Sequence, residues 1–96
     1  MTVLVRSVLP NMNREQYEEV SSKVMPAVQA AHGFQLHVGF PAPDGQGWAV
    51  SELWDTEDDG RTNFETNVMP HFPRGAEVGM SSQVIDDVTI FTPLGT

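Results

Sequence analysis

His37, Glu52, Trp48 and Trp54 all fall within one stretch, LHVGFPAPDGQGWAVSELWD (residues 36–55), in which two apolar runs flank a turn rich in Pro and Gly. A carboxylate set into an apolar strand is costly to bury unless it is paired or protonated. Two readings are open for Glu52. Either it lies at a sheet end and reaches Arg6 or a helix amide, or it is a base in apolar surroundings that takes a proton from an acidic phenol or enol. Trp54 is either core or the wall of a pocket, stacked against a flat aromatic ligand. If Leu36 stands opposite Glu52, alternation puts His37 on the other side of the hairpin. There it is either a structural histidine bonded to Ser51 or a catalytic base. His71 follows Asn67 by four residues, beside an apolar stripe at the mouth of a second helix, and is a lid residue or plain surface. His32, next to Gly33, reads as a helix-ending residue near the negative end of the dipole. The three histidines have no metal-ligand spacing, and there is neither a P-loop nor a dinucleotide fingerprint, so no bound metal or cofactor is expected.

Elements must place these groups, and the composition limits what those elements can build. The 96 residues are expected to form one domain, 1–96, whose small core buries about 60–65% of the unfolded surface. Thirteen acids against five bases give a net charge of −8, which repels nucleic acid and anionic membrane surfaces. Without cysteine, a leader-like start or an apolar run of membrane length, the protein is expected in the cytoplasm.

Residues 2–8 are rich in β-branched side chains and read as a first strand. Asn13 with Gln16 makes a capping box, with Met12 and Tyr17 as the hydrophobic staple, so the first helix starts near residue 14. Its apolar face is Tyr17, Val20, Val24, Val28 and Ala31. Pro26 is expected to interrupt and kink it near Met25, because proline has no amide hydrogen to donate. Strands follow at 34–40 and 48–54. A second helix then opens at Thr56, carries Phe64, Val68 and Phe72 on one stripe, and ends or kinks at Pro70. The last strand is expected over 82–91, with a bulge at Asp86-Asp87.

The order β-α-β-β-α-β specifies an α+β, ferredoxin-like fold: a four-stranded antiparallel sheet with both helices on one face. Val3, Val5, Ala49, Leu53, Ile85 and Phe91 fall on the other face, which is then too apolar to be left wet. A homodimer burying sheet against sheet is expected.

Gly33, His37-Val38-Gly39, Gly47-Trp48, Glu52, Trp54, Thr56 and Pro70 together resemble the pattern of the small dimeric α+β barrel proteins of the antibiotic biosynthesis monooxygenase type. The resemblance spans nearly the whole chain in element order. It implies a dimeric α+β barrel and a small aromatic or hydrophobic ligand. Its implied activities are cofactor-independent oxygenation of an aromatic polyketide-like substrate or a polyketide cyclase reaction; a non-enzymatic ligand-binding or structural dimer is the alternative. Asp59-Gly60 stands where relatives carry Ala-Phe, and Asn63 where a bulky apolar group is common. The lost volume predicts a cavity between the third strand and the second helix. Glu52 and Trp54 would line it with Phe64, Asn63 and Gly60, Arg6 being a further candidate contact; Glu52, His37 and His71 are the candidates for proton transfer.

Overall fold

The structure, a computed structural model, describes residues 2–94. Its elements run β1 (Val3–Leu9), α1 (Arg14–Gln29), β2 (Phe34–Pro41), β3 (Trp48–Trp54), α2 (Glu57–Asn63) and β4 (Ser81–Ile85). The sheet is antiparallel with order β2-β3-β1-β4, the ferredoxin-like arrangement. None of the described helices is long and apolar enough to cross a membrane.

The α1 start is as the sequence specifies. Asn13 Oδ1 accepts from the Gln16 amide at 2.8 Å, and Gln16 Oε1 accepts from the Asn13 amide at 3.0 Å. Val20, Val24 and Val28 bury one stripe, with Tyr17 and Ala31 packed at its ends. The expected interruption at Pro26 does not occur: the helix continues to Gln29, and the Ala30 amide still donates to the Pro26 carbonyl. Proline removes one donor in the last turn, and buried valines on both sides of it hold the helix to the sheet.

The second helical segment is less regular. Thr56 Oγ1 caps α2 by accepting from the Asp59 amide at 3.1 Å. After seven α-helical residues the chain widens into a π-helical turn, Phe64–Val68, and tightens into a 3₁₀ turn, Met69–His71. Pro70 lies in that last turn, and the helical path stops after it.

Two sequence expectations about the sheet are corrected. The last strand stops at Ile85 rather than 91, and the Asp86-Asp87 pair is its end rather than a bulge: Asp87 takes φ 56°, and the Val88 amide then donates to the Thr2 carbonyl. The hairpin register is also shifted by one. Phe34 stands opposite Trp54 and Leu36 opposite Leu53, so Gln35 is an extra residue in a bulge and His37, not Leu36, faces Glu52. The Gln35 side-chain Nε2 anchors the bulge by donating to Asp55 Oδ1 at 2.8 Å and to Thr2 Oγ1 at 3.1 Å.

The bulge inverts the rest of β2. His37 and Gly39 turn to the helix side, while Leu36 and Val38 point away from it and are exposed. In β1, Val3, Val5 and Leu9 also face the helices, contrary to the expectation for Val3 and Val5. Ala49, Leu53 and Ile85 lie on the outer face as expected, joined by Leu4, Val8, Leu36 and Val38, with Arg6, Ser51 and Gln83 among them. Phe91 lies beyond β4 in no strand and is exposed.

Candidate functional site

The three strand residues that matter arrive by register. Glu52 in β3 is flanked by Val5 on β1 and His37 on β2, so both polar groups project under α1. Tyr17, at the first turn of α1, comes down on the same spot. The Glu52 carboxylate accepts from His37 Nδ1 at 2.7 Å and from Trp54 Nε1 at 3.1 Å. Because Nδ1 donates to a carboxylate, Nε2 of neutral His37 carries the lone pair, and it accepts the Tyr17 hydroxyl at 2.5 Å. The result is a continuous series from the Trp54 indole through Glu52 and His37 to Tyr17. His37 and Glu52 side chains are only 14% and 18% exposed, so the series is held out of bulk water.

Packing fixes Tyr17 as firmly as the hydrogen bonds do. Its ring stacks on His37 at 5.9 Å between centroids with a 13° tilt, and lies 5.2 Å from the Trp48 ring at a 31° tilt. Gly39 makes this possible: a Cβ there would run into the Tyr17 ring and hydroxyl. Burial pushes the Tyr17 phenol above its ordinary value of 10.0, a bond with Ser21 opposes that shift, and the charge of Glu52 adds to it. Tyr17 is therefore a neutral hydroxyl at physiological pH, able to give a proton on one side only while taking one on the other.

Tyr17, His37 and Glu52 line a cavity of about 70 Å³ between the sheet and the helices. Asn63, Phe64 and Phe72 close it from the second helical segment, and Val20, Val24 and Met25 from α1. Asn63 is buried and accepts from Asn67 Nδ2 at 3.0 Å; Phe64 meets Phe72 edge-on at 5.6 Å. No lysine or arginine lines this space.

Glu52, His37, Asn63 and Phe64 are thus brought together, and four other candidates are not. Arg6 lies opposite Ser51 on the outer face, with the sheet between it and Glu52, so it neither pairs with that carboxylate nor reaches the cavity. Trp54 is wholly buried in the core beside Phe34 and contributes its indole N–H to Glu52 rather than a cavity wall. Gly60 borders a neighbouring space, but the volume directly over its Cα is taken by the Trp54 indole, 3.1 Å from where a Cβ would stand. His71 is exposed in the 3₁₀ turn and lines none of this. His37 does not bond Ser51 across an interface, because the bulge turns it to the opposite face.

Tyr17 was read from the sequence as helix staple and core, not as part of a site. Its signal was available: it is the chain's one tyrosine, on the apolar stripe of α1, and a buried phenol needs a partner for its hydroxyl.

No protein-family model matches this chain, and no curated protein does. Solved structures do resemble it. SnoaB, a cofactor-independent oxygenase from Streptomyces nogalater, is 17% identical, with a TM-score of 0.58 over 99% of this chain and 96% of its own. ActVA-Orf6, a monooxygenase from Streptomyces coelicolor solved with nanaomycin D, is 16% identical, with a TM-score of 0.60 over 96% of this chain and 91% of its own. A dimeric ferredoxin-like protein of unknown function from Jannaschia sp. is 9% identical, with a TM-score of 0.62 over 91% of this chain and all of its own. This chain has the α+β fold found in antibiotic biosynthesis monooxygenase-like proteins.

Proposed function

We propose that this protein, its 96 residues working as one domain, is a homodimeric enzyme that removes a proton from a flat, hydroxylated aromatic or enolic ligand and belongs with the cofactor-independent oxygenases in the chemistry it performs. The observation that carries this reading is the series Glu52–His37–Tyr17 ending on a cavity wall. A ligand hydroxyl that reaches the Tyr17 oxygen gives its proton there, as the Tyr17 proton moves to His37 Nε2. The Glu52 carboxylate orients His37 and stabilises the imidazolium, in the role an orienting carboxylate plays beside a histidine base. The cavity has no cation to draw an anionic substrate, which favours a neutral ligand that becomes an anion only on deprotonation.

For a ligand with an activated ring CH₂, the anion then passes electrons to dioxygen. One oxygen atom becomes the product carbonyl, and the other leaves as water with the two hydrogens of that carbon. The oxygenases of the same fold, SnoaB and ActVA-Orf6, support this outcome over simple ligand storage. The homodimer is supported by the exposed Leu36, Val38 and Ile85 on the outer sheet face, by Phe91 and Leu94 beyond it, and by the dimeric Jannaschia protein of the same fold.

The test is oxygen uptake with an anthrone probe. His37→Ala is expected to lower the rate about 10²–10⁴-fold, the usual range for one proton-transfer group. Tyr17→Phe, which keeps the stacked ring and removes the hydroxyl, should lower it in the same direction. Wild-type rates in both variants would sink the proposal.

A further inference from the structure

A cavity of about 70 Å³ is half the ~150 Å³ that admits a benzene ring in a dry protein interior. The site described above is therefore too small for the ligand its chemistry suits. A second space of about 200 Å³ lies directly beside it, between β1, β4 and α2, and is bordered by Val5, Gly60, Arg61, Ser82 and Val84. Four residues border both spaces: Ser7, Glu52, Phe64 and Met80. We infer that Phe64 and Met80 are a movable partition, that the ligand site is the two spaces joined, and that these two side chains set the size of ring system admitted.

The four shared residues differ in what holds them. Ser7 lies in the central strand β1 and shares a 2.9 Å hydrogen bond with Ser82. Glu52 lies in the other central strand and is fixed by two N–H donors. They form a floor common to both spaces, and neither can leave without breaking hydrogen bonds. Phe64 and Met80 are outside the sheet and have only apolar contacts to exchange. Phe64 begins the π-helical turn, a local widening that recurs at functional sites, and its ring touches Phe72 edge-on. Met80 is unbranched with three rotatable bonds, and fills irregular gaps without a fixed shape. Rotation of these two side chains joins spaces that together exceed the volume a benzene ring needs.

The joined site has a polar end and an apolar end. Tyr17, His37 and Glu52 stand at the first, where a hydroxyl would be received; Val5 and Val84 stand at the second, where the far ring would lie. Arg61, the one cation at that end, is held by Glu57 and Asp58, so no free positive charge invites a carboxylate or phosphate. The chemistry fits an uncharged planar system of two rings. This inference rests on the proposed function for the hydroxyl, but the partition itself needs only the geometry.

Moving a partition reduces apparent affinity by the fraction of molecules in which it is open. Calorimetric titration with 2-naphthol is the test. Phe64→Ala opens the site permanently and is expected to bind 2-naphthol at least tenfold more tightly than wild type. Adding Val84→Phe, which fills the second space from an exposed strand position, should reverse that gain. Met80→Ala reads the same partition from its other side and must move affinity in the same direction, which decides the matter if Phe64→Ala does not fold. Unchanged or weaker binding in the alanine variants overturns the inference, because Phe64 is then a fixed wall. Naphthalene separates this inference from the proposed function. An equal gain for naphthalene and 2-naphthol leaves the partition standing and removes the role of Tyr17 and His37 in receiving a hydroxyl.

Discussion

The two faces of the sheet use the same four strands and leave different things unfinished. On the inner face the polar groups around the cavity are paired: Glu52 has two donors, His37 bonds at both ring nitrogens, and Ser7 meets Ser82, while the Trp48 indole N–H at the far end of β3 is buried without an acceptor. What that face lacks is filling, because the helices leave a gap of about 70 Å³ over Glu52 and His37. On the outer face the volume is unlimited and the partners are missing, with Leu36, Val38 and Ile85 open to water around Arg6. A paired polar cluster beside an unfilled gap suits a ligand, whereas an apolar face open to water suits a second protein surface. In β2 the face a residue occupies cannot be counted by strict alternation along the sequence, since the extra Gln35 shifts the count for all that follows it.

The strongest blow to the inner face is Trp54→Ala. It removes the largest wholly buried side chain and one of the two donors to Glu52, and is expected to cost about 3–5 kcal/mol, read as a large fall in melting temperature. A loss under 1 kcal/mol would mean that the indole is not packed as described.

On the outer face Leu53→Asp places a charge where the partner sheet is proposed to lie. Sedimentation should then show a 10.6 kDa monomer in place of a dimer, with the inner-face hydrogen bonds intact. A variant that remains a dimer with an unchanged melting temperature removes the outer face from the interface.

A smaller effect comes from pH. Tyr17 is the only tyrosine, so the phenolate absorbance of the folded protein reports it alone, and its midpoint should lie above 10.0. Its folded pKa is raised, so above 10.0 the folded state holds more protons than the unfolded state. Its share of stability is thus fully present below that pH and lost as pH rises through the folded pKa. Tyr17→Phe should flatten the fall in melting temperature over that alkaline window; an identical fall in both proteins assigns it to other groups.

The smallest expected effect sharpens the comparison most. Deleting Gln35 leaves Phe34, Leu36 and His37 opposite Trp54, Leu53 and Glu52 without a bulge, so the faces keep their residues. The tyrosine midpoint should move little, and the protein should lose only the bonds from Gln35 to Thr2 and Asp55. A Tyr17 that titrates like a free phenol in this variant would show that the bulge itself shapes the site.

The element order, the ferredoxin-like sheet, the Asn13 and Thr56 caps and the valine stripe of α1 were all legible in the sequence, because each depends on residues within a few positions of one another. Glu52, His37, Asn63 and Phe64 were legible as candidates for the same kind of reason: polar groups in apolar runs, and small or polar groups where bulk is usual. The faces of β3 were legible from alternation, with Trp48, Val50, Glu52 and Trp54 toward the helices and Ala49, Ser51 and Leu53 away, but those of β1 and β2 were not. Alternation carries a parity that a single bulge reverses, and Gln35 has nothing in its own identity to announce one; its anchors, Thr2 and Asp55, are brought beside it only by the folded sheet. For that reason the sequence placed His37 at an interface and the tertiary structure turned it to the cavity; Arg6, a candidate partner of Glu52, lies on the outer face for a separate reason, because the β1–β3 register sets it opposite Ser51. Tyr17 completes the same lesson. Its helix stripe was fixed locally, but its hydrogen bond to His37, twenty residues away, exists only because α1 packs across β2 at Gly39, where no side chain stands between them.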